Sequence, residues 1–156
     1  MIPTEAQWEH AIRSNTTSAW SYGPDLESIR GCVNIADQTA IRAGAAWQQE
    51  QRDWPDYDDG HVVHAAVDFF PANPWGFFGA HGNVFEWCKD SYGEYHFPTL
   101  PGTGERDIPA RAEKVMRDGC FDSSVYITRT TYRSPRPETL RARGIGIRPA
   151  RLIDGS

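Results

Sequence analysis

The segment Asn73-Pro-Trp-Gly-Phe-Phe-Gly-Ala-His-Gly-Asn-Val-Phe-Glu-Trp-Cys-Lys-Asp90 holds the densest chemistry in this 156-residue chain. Glu86 stands between Phe85 and Trp87, where an unpartnered carboxylate is costly, so a metal ion, an arginine or backbone N–H groups must meet it. A second acidic stretch, Asp56-Tyr57-Asp58-Asp59-Gly60, has the oxygen-rich character that hard cations such as calcium prefer. It is not an EF-hand. With Gly60 in the sixth position, positions one, three and five would be Pro55, Tyr57 and Asp59, and position twelve would be Ala66. A different calcium loop and a merely solvated acidic loop both remain open at this point. His61 and His64 lie three apart in a strand-like stretch, where they face opposite sides, so partly buried histidines are expected rather than a zinc pair. Cys32, Cys88 and Cys120 are odd in number, far apart and never C-x-x-C, which excludes a disulfide framework and a zinc ribbon. Nucleophile-elbow, phosphate-loop, H-E-x-x-H and complete dinucleotide-loop motifs do not occur.

The elements that must hold these residues are short. Pro3 and Thr4-x-x-Gln7 predict a helix start with a capping box, with Trp8, Ala11 and Ile12 on one face. Ala40–Gln51 reads as a second helix broken by Gly44, residues 54–60 as a loop, His61–Phe70 as a strand, and Pro71-Ala-Asn-Pro74 as a turn. Beyond Phe85 the chain is cut by Gly, Pro and Asp into short segments, so a single irregular α+β domain is expected. With 39% hydrophobic and 24% charged residues, and with 6 Trp, 6 Tyr and 7 Phe, the composition is that of an ordinary globular domain. The sequence contains neither a membrane-length apolar run nor a basic, apolar leader, from which a soluble, cytoplasmic protein without a membrane partner is expected. The net charge of −5 is uneven: residues 1–105 carry 5 basic and 15 acidic side chains, and residues 106–151 carry 11 basic and 5 acidic. The arginines of the basic part are dispersed and accompany no nucleic-acid motif, so internal complementation is expected and nucleic-acid binding is not.

Three stretches, in order, resemble one family, the formylglycine-generating enzyme or sulfatase-modifying factor domains. Ile2-Pro-Thr-Glu-Ala-Gln-Trp-Glu9 resembles its L-P-T-E-A-E-W-E, Gly82-Asn-Val-Phe-Glu-Trp87 its G-N-V-W-E-W, and Gly144-Ile-Gly-Ile-Arg148 its I-G-F-R. Gly31-Cys-Val-Asn-Ile-Ala-Asp37, Arg129-Thr-Thr-Tyr-Arg133 and Pro149-Ala-Arg151 extend the likeness over nearly the whole chain. The resemblance implies an irregular, loop-rich C-type-lectin-like fold. It also implies two calcium sites: one from the side chains of Asn34 and Asp59 with the carbonyls of Ile35 and His61, and one from Glu86 with the carbonyls of Gly82 and Val84. Gly79 removes a side-chain ligand from the second.

The departures from the family point away from its oxidase chemistry. The family's enzymes hold Cu(I) between two cysteines spaced C-x4-C, and soft thiolates are what that ion requires. The matching region here, Asp118-Gly-Cys-Phe-Asp-Ser-Ser-Val-Tyr-Ile-Thr-Arg129, has only Cys120, so copper is not expected. Family domains also have a substantial segment before the helix that begins near Thr4, so a fragment, a reduced domain, or one half of a split protein is expected. Trp8, Ala11 and Ile12 would then lie exposed for a chain supplying that half, or for a homo-oligomer. The expected function is a calcium-stabilised ligand- or protein-binding domain. Asp122, Ser123, Tyr126, Arg129 and Arg133 would present hydroxyl, aromatic and cationic groups to a polar or anionic ligand or peptide. The alternative is a component of a family oxidoreductase, either in sulfatase maturation or in an iron-dependent sulfoxide synthase of the ergothioneine type.

Overall fold

The computed structural model describes residues 1–47, 55–109 and 111–152. Helix α1, Glu5–Arg13, begins at the expected capping box: Gln7 N donates to Thr4 Oγ1 at 3.3 Å, and Thr4 N to Gln7 Oε1 at 3.0 Å. It stops at Ser14, whose backbone is left-handed at φ 45°. Trp8 and Ile12 are buried against Ala80, Cys88 and Val115, so α1 closes its own core and is not the exposed face expected of it. Helix α2 is short, Gln38–Arg42, and Asp37 caps it by accepting from Thr39 N. The expected second helix thus ends at Arg42, just before Gly44, and its last residues, 48–51, lie outside the described residues, as does Trp54 of the expected loop.

Four strands make one sheet in the order β3-β2-β1-β4, with β1 Phe85–Ser91, β2 Glu113–Arg117, β3 Arg133–Pro137 and β4 Ile145–Gly146. β1 and β3 run antiparallel to β2, while β4 pairs parallel to β1 at Phe85 and Glu86. Glu86, Cys88 and Asp90 alternate toward α1, which is the period-two pattern of a half-covered sheet. A second core gathers Trp20, Ile29, Val33, Ile35, Tyr57 and Val125 beside the sheet.

His61–Phe70 is not a strand. Its backbone is held by asparagine side chains: Asn83 Oδ1 accepts from Ala65 N, Asn83 Nδ2 donates to Ala65 O, and Asn34 Nδ2 donates to Val63 O. A segment whose amides and carbonyls are met this way has no need of a ladder. Gly82 fixes the crossing that makes it work. Its φ is +73°, and a Cβ there would fall 2.3 Å from Asn34 O, so only glycine lets the two backbones meet. The result is the irregular, loop-rich α+β architecture expected of the sequence.

Candidate functional site

Three places collect the expected site residues. The first surrounds Asp59, which is buried although it is a carboxylate. Its Oδ2 accepts from Ile35 N at 2.9 Å and its Oδ1 from His61 N at 2.7 Å, while its own N–H donates to Asp37 Oδ2 at 2.5 Å. Burial pushes the Asp59 carboxyl up to about 7. The two backbone donors oppose that shift, and the negative charges of Asp37 and Asp58 add to it. Arg42 answers Asp58, not Asp59. Next to this cluster, Asn34 gives its amide hydrogens to Val63 O and Asn83 Oδ1, which leaves Asn34 Oδ1 buried with no partner among the described residues. The structure therefore brings Asn34, Ile35, Asp59 and His61 together. Excess carboxylate charge and an orphaned amide oxygen are what a hard cation would satisfy. Among the described residues no group of three or more His, Cys, Asp or Glu is placed to hold a metal, so a cation here would need the amide and carbonyl oxygens as well.

The second place is Glu86, and here the structure supplies an arginine. Arg148 grips the carboxylate with two nitrogens, Nε to Oε2 at 2.9 Å and Nη2 to Oε1 at 2.7 Å, and Trp8 Nε1 donates to Oε2 at 2.6 Å. Arg148 also donates to the carbonyls of Phe78 and Gly79, and the Gly82 carbonyl accepts from Val84 N. Both oxygens of Glu86 and the Gly82 carbonyl thus already have partners, and the group that meets Glu86 is a guanidinium. The arginine needed by Glu86 lies 62 residues away, a separation at which sequence spacing carries no signal. Beside the pair sits Asp118, fully buried at φ 65°, with neither oxygen in a well-formed hydrogen bond among the described residues. Burial raises its carboxyl well above the usual range. The nearby Gly82 and Gly119 amides and Arg148 oppose this, and Glu86 reinforces it.

The third place is the loop after β2. Cys120 is buried, its thiol donates to Asp122 Oδ1 at 2.8 Å, and burial together with that hydrogen bond pushes it up to about 12. All three cysteines are free thiols. Ser123, expected on a ligand surface, is buried, and its Oγ accepts from Cys120 N at 3.0 Å, so its hydroxyl shapes the loop instead. Arg133 is likewise turned inward. It pairs with Glu5 at 2.5 Å and donates to Gly93 O, while Arg117, wholly buried, bridges Glu5 and Glu9. Tyr126 and Arg129 do stay exposed, with the guanidinium stacked over the Tyr126 and Trp20 rings. A further group gathers residues distant in sequence: Arg143 lies over Trp47 and Phe121, and His64, exposed where a partly buried histidine is expected, meets Phe121 edge-on while its Nε2 contacts Arg143 O. These residues sit far apart in sequence, so no spacing in the sequence reports that they meet.

Residues 1–153 match the sulfatase-modifying factor enzyme 1-like domain. The chain belongs to that family. It is 28% identical over 158 residues to the formylglycine-generating enzyme of Streptomyces coelicolor, an alignment that takes in 98% of this chain and 47% of the enzyme. The chain thus spans about half the length of that relative. Among solved structures, the variable protein 1 of Treponema denticola superposes with a TM-score of 0.71 at 18% identity, over 94% of this chain and 45% of that one. PvdO from Pseudomonas aeruginosa superposes with a TM-score of 0.70 at 20% identity, over 94% and 50%. These likenesses establish the C-type-lectin-like fold of the sulfatase-modifying factor family. Among the described residues no helix of this family member is long and apolar enough to cross a membrane.

Proposed function

We propose that this domain is a calcium-stabilised binding module of the sulfatase-modifying factor family and does not itself generate formylglycine. The calcium part rests on one observation, the buried Asn34 Oδ1 without a partner among the described residues, beside the raised carboxyl of Asp59. Asn34 and Asp59 would hold the ion by side chains, and Ile35 and His61 by carbonyls. Bound there, calcium would supply the positive charge that Asp37 and Asp59 lack and would tie residues 34–37 to residues 59–61. The binding surface is placed at Tyr126 and Arg129, with the Arg143 and His64 group as a second cationic and aromatic patch, both suited to a polar or anionic peptide or ligand.

The Cys120 loop supports the proposal that this domain lacks oxidase activity. A linear Cu(I) site needs two thiolates, whereas Cys120 is the sole cysteine between Asp118 and Arg129 and is held protonated. The experiment is incubation with copper, reductant and a C-x-P-x-R peptide, followed by mass spectrometry, and unmodified peptide is expected. The 28% identity to the Streptomyces enzyme favours the rival reading. Turnover abolished by Cys120→Ala would establish it.

A further inference from the structure

The outer face of the sheet carries a groove of about 820 Å³, a size typical of small-molecule sites. Glu86, Cys88 and Asp90 of β1 turn toward α1, whereas Trp87 and Lys89, which alternate with them, stand on the opposite face and line the groove. The topology fixes what lies at each end. Ile145 pairs with Phe85 at the start of β1, so Ile145 and Ile147 mark one end. Lys114 pairs with Ser91 at the finish of β1. The turn bearing Glu138 and Arg141 leaves β3 beside it, because Pro137 pairs with Glu113 and Glu138 N donates to Ala112 O. The two ends are a strand's length apart, roughly 20 Å for the seven residues of β1, with Trp87 between them.

The ends differ in charge. Lys114 is half-buried, yet its ammonium contacts only neutral oxygens, Lys89 O at 3.3 Å and Ser91 Oγ at 3.4 Å, both long for hydrogen bonds. Its cross-strand partner is Arg136, and like charges directly opposite one another destabilise a sheet unless an anion joins them. Arg136 donates only to the Pro135 carbonyl, and Arg141 only to the carbonyls of Glu138 and Leu140. None of the three cations has a carboxylate partner among the described residues. Lys89 is already neutralised by Glu105, and Glu138 is the single acidic side chain lining the groove, so this end keeps a positive balance. Toward the other end the lining is hydrocarbon, from Leu140 and Ala142 to Ile145 and Ile147, the last of them 60% exposed.

We infer that the groove is a binding site for an aliphatic carboxylate, its chain lying along Trp87, Leu140 and Ile145 and its head met by Lys114, Arg136 and Arg141. A lining of apolar side chains favours a hydrocarbon tail over a peptide, whose amides it would leave unmet. The site shares no residue with the Asp59 cluster or with the Tyr126 surface.

The test is titration of residues 1–156 with decanoate, decyltrimethylammonium and acetate, read by calorimetry and by NMR shifts. Decanoate should bind one to one and shift the Trp87 indole and the Ile145 and Ile147 amides. It should bind on the order of tenfold more tightly than decyltrimethylammonium, which has the same tail and the opposite charge. Acetate, a head without a tail, should not bind measurably. Lys114→Glu combined with Arg141→Glu should reverse the preference between the two tailed probes, and Leu140→Ser should weaken both, with melting curves to confirm folding. The three probes on the unmodified chain decide the matter even where a variant fails to fold. No binding of decanoate, equal binding of the two tailed probes, or shifts confined to residues outside the groove would overturn the inference. A chain already dimeric through this face, with decanoate unable to enter, would overturn it as well and give the groove to a second copy.

Discussion

Two carboxylate clusters in this domain are handled in opposite ways. Around α1, Glu5 and Glu9 are met by Arg117 and Arg133, and Glu86 is met by Arg148, so each of these three carboxylates has a guanidinium within 2.5–2.9 Å. Desolvation is outweighed there, and the Glu5 and Glu9 carboxyls are held below their ordinary value. Around Asp59 the carboxylates face backbone amides and one another. Desolvation wins there, and the Asp37 and Asp59 carboxyls are raised. Burial alone therefore does not mark a functional carboxylate. What separates a finished structural pair from a site that lacks an ion is whether a fixed cation is already present.

The sharpest break in that contrast is Arg117→Met. It leaves Glu5 and Glu9 buried without their shared cation and should cost about 3–5 kcal/mol in urea unfolding, with or without calcium. Arg148→Met should cost about 2–4 kcal/mol by exposing Glu86 to the same imbalance. If calcium restored that variant's stability, the Glu86 cluster would be a cation site after all.

Calcium should act on the other cluster. At a hundredfold excess over its dissociation constant it would add about 2.7 kcal/mol to apparent stability. In Asp59→Asn that calcium response should vanish, while the metal-free variant stays within about 1 kcal/mol of the unmodified chain. Superimposable melts of the unmodified chain in calcium and in chelator, with no metal found by ion analysis, would remove calcium from the account.

The dependence on pH offers a finer separation, worth roughly 1–2 kcal/mol. His81 is buried and neutral, accepting from Ser21 N and contacting Thr128 O, and burial lowers it to about 4 from an ordinary 6.5. The unfolded chain takes up that proton first, so the stability His81 contributes is lost as pH falls from about 6.5 toward 4. Asp59 works the other way. Its carboxyl is raised to about 7 from 3.8, so in chelator its contribution is present at low pH and lost as pH rises through about 7. Asp59→Asn should remove the loss between about 3.8 and 7 and keep the acid-side loss of His81, read from melts across that range. The smallest effect belongs to Tyr126→Ala, whose side chain is exposed. Its stability change should stay within about 0.5 kcal/mol, while binding of anionic peptides in a screen weakens.

Local signals were legible where local residues complete them. Thr4 and Gln7 cap each other across three positions, and α1 forms where the sequence places it. The need for a partner at Glu86 was also visible from Phe85 and Trp87, but its identity was not, because Arg148 reaches it through the parallel pairing of β4 with β1. The failed strand at His61–Phe70 has a similar cause. Its wealth of valine and phenylalanine suggests a ladder, but the partners of its backbone are the side chains of Asn34 and Asn83, which no periodicity reports. Ser123 and Arg133 have the composition of a binding loop, yet they are consumed by Cys120 and Glu5 through contacts that only the assembled fold creates.

β3 has a bearing on how the molecule behaves in a crowded solution. It lies at the margin of the sheet and reads Arg133-Ser-Pro-Arg-Pro137, with Pro135 opposite Val115 and Pro137 opposite Glu113. Proline has no amide hydrogen, which is tolerated where its nitrogen points away from the neighbouring strand, and Arg136 adds charge between the two rings. An approaching chain finds too few donors there to extend the sheet, so fibril-like stacking is blocked at that margin.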